Sequence, residues 1–105
     1  MKQFEPYVLG WAAEAFYKNG RITSVSGTYT VLETDHIVMA NGTFTVNLPP
    51  ATGSGNIYVI KNSGSGTITV DGFGAQPIDG AATKSLAAGV SAMLLDVTAG
   101  NWGVI

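Results

Sequence analysis

From residue 28 onward, apolar and polar residues alternate in short runs separated by Gly, Asn, Asp or Pro. Period-2 alternation marks a strand with one face buried. The clearest stretch is 28–48, TYTVLETDHIVMANGTFTVNL, centred on Asn41-Gly42. Asn-Gly between two alternating runs predicts a two-residue hairpin, because a type I′ turn needs φ > 0 at both central residues. The register then pairs Met39 with Phe44. It places Ile37, Met39, Phe44 and Val46 on a core face, and His36, Val38, Ala40, Thr43, Thr45 and Asn47 on the other. Leu48-Pro49-Pro50 ends this stretch, since proline cannot donate to a ladder. Further strands are predicted at 56–61, 67–70, 83–86, 92–97 and 102–105. The run NIYVIK is apolar on both faces, which suits a central strand or a subunit contact. Asn62 to Gly66, Asp71-Gly72, Asp79-Gly80 and Ala99-Gly100-Asn101 read as turns. Short strands at this spacing predict an all-β fold, an antiparallel sandwich or barrel-like module.

The first 22 residues follow another period. Trp11, Ala12, Ala15 and Phe16 share one helical face, Glu14 and Lys18 lie opposite, and Asn19-Gly20 supplies a stop. A helix of about two turns is not stable alone in water. Its aromatic residues either pack on the β domain or dock on a partner or sister subunit. The expected organisation is a docking segment with a short helix over 1–22 and an antiparallel β domain over 23–105.

Composition narrows the function. The chain has 105 residues, enough for one domain, and no cysteine, so neither disulfides nor a thiolate metal site is available. The net charge of −2 lacks the basic stripe that nucleic acid requires. No run reaches the ~20 apolar residues of a membrane span, and Glu5, Pro6 and Glu14 interrupt any signal-peptide core. The chain opens on Met1 and is expected to be a complete small gene product. Charged residues make up 11% of it, against about 25% in ordinary soluble domains. Threonine, serine, asparagine and glycine must then form much of the surface, or part of the surface is buried against other copies. Under the hairpin register, Val38, Tyr58, Ile60 and Leu94 lie opposite the core-facing set. They are the candidate subunit interface of a homotrimer, since an exposed apolar patch is costly.

Candidate chemistry is sparse. His36 is the single histidine, and Asp35 and Glu33 beside it do not make metal-ligand spacing, so a solvated turn is expected. Gly53-Ser54-Gly55 and Gly64-Ser65-Gly66 lack the lysine and helix of a phosphate loop. No carboxylate pair suited to glycoside hydrolysis can be picked out of Asp71, Asp79 and Asp96, which read as turn or strand-end residues. Asn41-Gly42-Thr43 fits a glycosylation sequon that the turn already explains. Phe73, in Gly72-Phe73-Gly74, and Trp102 are candidate stacking platforms for a glycan, and Trp102 also fits a core position. No enzyme activity, cofactor or metal is expected.

The ordered features from about residue 28 to the end resemble a β module of tailed-bacteriophage tail fibres and virion appendages. The matching pieces are Leu48-Pro49 after a Thr-rich strand, IYVIK at 57–61, ITVD at 68–71, Ile78-Asp79-Gly80 and Asn101-Trp102. They cover about three quarters of the chain. The resemblance implies a non-enzymatic structural module on the virion surface, made in the bacterial host cytoplasm. It also implies a trimer that sometimes contacts host glycans. With some 22 residues ahead of the module, capsid decoration is favoured slightly over a tail-fibre or appendage subunit. The partners would be other virion proteins, reached through Trp11 and Phe16. The alternative is a receptor-recognition module that binds a host surface glycan.

Overall fold

A computed structural model describes residues 21–105. The helix expected around Trp11 and Phe16 lies outside them. The described residues are all β: β1 (Ile22–Val25), β2 (Tyr29–Thr30), β3 (Ile37–Ala40), β4 (Phe44–Asn47), β5 (Ile57–Asn62), β6 (Ile68–Asp71), β7 (Thr83–Leu86), β8 (Ser91–Thr98) and β9 (Asn101–Val104). They form a five-stranded sheet, β1-β3-β5-β8-β9, and a four-stranded sheet, β2-β4-β6-β7.

Both sheets are mixed, which corrects the antiparallel expectation. Strands β1, β3 and β5 run parallel in one sheet, and β2, β4 and β6 run parallel in the other. The chain therefore coils. Each of three turns adds one strand to the five-stranded sheet, crosses to the four-stranded sheet and returns. Parallel neighbours need a crossover, and here the crossover is a strand of the facing sheet. After β6 the chain reverses. Antiparallel β7 covers the edge of β6, and antiparallel β8 and β9 cover β5. The doubly apolar β5 is the central strand of its sheet, as its pattern predicts.

The Asn41-Gly42 hairpin does not form. Met39 pairs with Ser24 and Lys61, while Phe44 pairs with Ile68 in the other sheet. Among the two turn residues only Gly42 has positive φ, at 142°, so the type I′ condition is not met. Asn41-Gly42-Thr43 is instead a corner between sheets. Corners stack from one coil to the next: Asn41 N donates to Val25 O (3.1 Å) and Ser63 N to Ala40 O (2.8 Å). A Cβ on Gly66 would overlap the Thr43 hydroxyl and the Gly42 carbonyl, so glycine allows this close approach.

Losing the hairpin inverts the faces of β3. Val38 and Ala40 point into the core, while Ile37 and Met39 point outward. The core lies between the sheets. Val38, Ala40, Tyr58, Ile60, Ala92, Leu94 and Trp102 on one side meet Val46, Leu48, Ile68, Val70 and Leu86 on the other. Full burial of such side chains contributes roughly 1.5–3 kcal/mol each relative to exposure, which outweighs any preference of the Asn-Gly pair for a hairpin.

Candidate interaction surfaces

Two aspartates read as turn or strand-end residues are buried clasps. Asp35 accepts hydrogen bonds from Thr23 Oγ1 (2.8 Å), Tyr29 Oη (2.6 Å) and Leu32 N (2.8 Å), joining β1, β2 and the loop before β3. Burial alone would raise its pKa, but the hydrogen bonds from Tyr29, Leu32 and Thr23 outweigh it and hold the carboxyl below its ordinary value. Tyr29 is pushed up to about 12, by burial first and by its bond to Asp35 second. Asp96 gathers the loop between β4 and β5. It accepts from Thr52 N (2.9 Å), Gly53 N (2.7 Å) and Ser54 Oγ (2.7 Å). These bonds also overcome burial and lower its pKa. Buried Asn62 does the same for a corner, its Nδ2 donating to Gly66 O (2.8 Å) and Leu86 O (2.9 Å). Sequence reasoning missed all three, because their partners lie far along the chain or in another element.

His36 is half-buried rather than solvated, with Nδ1 buried and without a hydrogen bond. Among the described residues no group of three or more His, Cys, Asp or Glu side chains converges, and no helix is long and apolar enough to cross a membrane. A shallow depression of about 320 Å³, lined by Ser24, Val25, Ser26, Met39, Asn41 and Ser63, lies at one end of the five-stranded sheet.

The structure separates the sequence candidates. Val38, Tyr58, Ile60 and Leu94 are core residues of a single chain, so they do not line an outer interface. That follows from the inverted faces: the side expected outside is inside. Trp102 is 2% exposed and meets Tyr58 edge-on at 5.9 Å, leaving no ring face for a sugar. Phe73 is 51% exposed on the loop between β6 and β7. Trp11 and Phe16 lie outside the described residues.

The outer faces of the two sheets differ in chemistry. On the four-stranded sheet, Thr30, Asn47, Asp71 and Thr83 form one row across all four strands, and Thr45, Thr69 and Ser85 form another. On the five-stranded sheet, Ile22, Ile37, Val59 and Met93 form a continuous row through β1, β3, β5 and β8. Ile105 extends it, its backbone N–H donating to Met93 O at 3.0 Å. Ile57 and Leu95 pair in a second row. Ile22 is 60%, Ile105 61%, Val97 47% and Met93 42% exposed. Among the described residues, Lys61 lies on this face, its Nζ donating to Gly89 O at 2.6 Å beside the sheet end, and the exposed Asp79 carboxylate lies at the β9 edge, accepting from Val104 N at 3.2 Å. Compared with family models, curated proteins and solved structures, the chain matches none of them.

Proposed function

We propose that this chain is a non-enzymatic structural protein on the surface of a tailed-phage virion. Capsid decoration is slightly favoured over a tail-fibre or appendage subunit. The observation that carries the reading is the use made of the buried carboxylates. Asp35 and Asp96 each bind several donors of their own fold, the arrangement of a scaffold rather than of an acid or base poised over a cleft. The motifs of the resemblance fall in or beside strands. Leu48-Pro49 follows β4, the IYVIK and ITVD runs lie in β5 and β6, and Asn101-Trp102 opens β9.

In this proposal the chain assembles as a homotrimer, the β domain projects, and the segment carrying Trp11 and Phe16 docks on other virion proteins. Quantitative mass spectrometry of purified particles tests it. Hundreds of copies place the chain on the capsid, a handful place it on the tail, and none overturns the proposal. Deleting residues 1–20 should leave the β domain folded but unable to bind particles. A second reading, glycan recognition, rests on the exposed Phe73 ring; binding on a glycan array that Phe73→Ala abolishes would favour it.

A further inference from the structure

The Asn41-Gly42 pair forms no hairpin, and its side-chain chemistry is left unengaged at the corner between sheets. Asn41 is exposed, and its amide makes no hydrogen bond to another described residue. The Gly42 N–H donates to none of them either. The other described asparagines are held. Asn62 is buried, its Nδ2 donating to Gly66 O and Leu86 O and its Oδ1 accepting from Gly64 N at 3.1 Å. Asn56 and Asn101 donate through Nδ2 to Tyr58 Oη and Thr98 Oγ1. Asn47 precedes Leu48, whose N–H is engaged by Asp71 O at 2.8 Å. Among the described asparagines, Asn41 alone combines an unbonded amide with an unengaged backbone nitrogen next to it. Glycine also brings no Cβ to screen that nitrogen.

From this juxtaposition we propose that the corner is a site of spontaneous deamidation, a covalent modification that needs water as its reagent. Asparagine is among the thermolabile residues. The Gly42 nitrogen bonds to Asn41 Cγ and the Cγ–Nδ2 bond breaks. Ammonia leaves with the proton that the Gly42 nitrogen gives up. An attacking group held beside its target in this way gains from proximity. The product is a cyclic imide, which water then opens on either side. Cleavage at Cγ gives aspartate in an ordinary backbone. Cleavage at the main-chain carbonyl gives isoaspartate, with the chain routed through Cγ. Nothing is oxidised or reduced.

The two products meet a crowded corner. A Cβ on Gly64 would overlap Asn41 Oδ1, and one on Gly66 would overlap the Gly42 carbonyl, so the next coil lies directly against this peptide. Asn41 N donates to Val25 O on the coil before. Aspartate keeps that backbone and adds a negative charge to a depression lined by Ser24, Ser26, Met39 and Ser63, none of them charged. Isoaspartate lengthens the backbone where the neighbouring coils leave it no room. The corner therefore ages into a more acidic form and a less stable one.

Peptide mapping by mass spectrometry, on the folded full-length chain kept at mildly alkaline pH, tests the proposal and separates Asn41 from the other Asn-Gly pair, Asn19-Gly20. The Asn41 peptide should gain the mass of an amide-to-carboxylate exchange and split into aspartate and isoaspartate forms. The Asn47 and Asn62 peptides should stay intact. The rate at Asn41 should lie within about tenfold of that in the urea-unfolded chain. Asn41→Gln, whose longer side chain disfavours the ring, should keep the circular dichroism spectrum and abolish the new forms. Isoaspartate protein, separated by chromatography, should melt below Asn41→Asp. An Asn41 that stays intact in the folded chain while it converts in urea overturns the proposal, and so does equal conversion at Asn47. Equal melting of isoaspartate protein and Asn41→Asp would overturn the destabilised form.

Discussion

The five-stranded and four-stranded sheets share one core and obey the same inward rule, yet their outward sides have opposite chemistry. The row Thr30, Asn47, Asp71, Thr83 is what a solvated strand surface should be. The row Ile22, Ile37, Val59, Met93 would pass for a second core. Alternation therefore reads one sheet unambiguously and leaves the other ambiguous. In β4 and β6, polar residues mark the outside. In β3, β5 and β8, both sides are apolar, and only the fold tells them apart. The charge missing from the outside of the five-stranded sheet is partly found within it, as Asp96 on β8 and Asp35 before β3.

Neighbouring residues of β8 offer the sharpest way to break this comparison. Leu94→Ala should cost about 3 kcal/mol through lost burial and the cavity left behind. Met93→Ala, measured on dilute protein, should stay within about 0.5 kcal/mol. Equal losses in chemical denaturation would mean that inside and outside are wrongly assigned.

Next in size is the corner that replaced the hairpin. Gly42→Val places a β-branched residue at φ 142°, with its Cβ about 3.0 Å from the Phe44 ring. A loss of about 2 kcal/mol is expected from the backbone strain. A neutral result in thermal melts would show that the corner can relax.

The buried charges come third. Asp35→Asn should cost about 2 kcal/mol, because charge-assisted hydrogen bonds from Tyr29, Thr23 and Leu32 are weakened. The pH dependence carries a definite sign. Asp35 and Asp96 are held below their ordinary value of 3.8 when folded. Their contribution is present above 3.8 and is lost as pH falls below it, through the lowered folded values. Tyr29 acts at the other end. Its folded pKa, about 12 against an ordinary 10.0, favours the neutral phenol, so that stability is present below pH 10.0 and declines as pH rises toward 12. A denaturation midpoint that is flat from neutral pH to well below 3.8 would rule out the carboxylate clasps.

The smallest effect belongs to the polar face. Thr69→Val, at a half-buried position, should shift stability by no more than about 0.5 kcal/mol. A larger change in the denaturation midpoint would mean that the hydroxyl rows bind one another structurally rather than face water.

By itself the sequence determined where most strands lie from residue 28 onward, but it did not mark β1 at Ile22–Val25. Period-2 runs, Leu48-Pro49-Pro50 and the Gly-containing turns mark them with local chemistry, and the doubly apolar 56–61 run suited a central strand or a subunit contact. Tertiary structure decided which strands pair, in which direction, and which side of β3 faces the core. The physical reason is that alternation is symmetric when both sides are apolar, and a one-residue change of register exchanges them. The Asn-Gly signal describes two residues and says nothing of the sheet each flank joins. A close approach of stacked corners and a core shared by both sheets made it a crossover. The clasps were invisible for a related reason: Asp96 meets Thr52 from 44 residues away and Asp35 meets Thr23 from 12. Local sequence reaches only the Leu32 N–H three residues from Asp35; the remaining donors arrive when the coil closes.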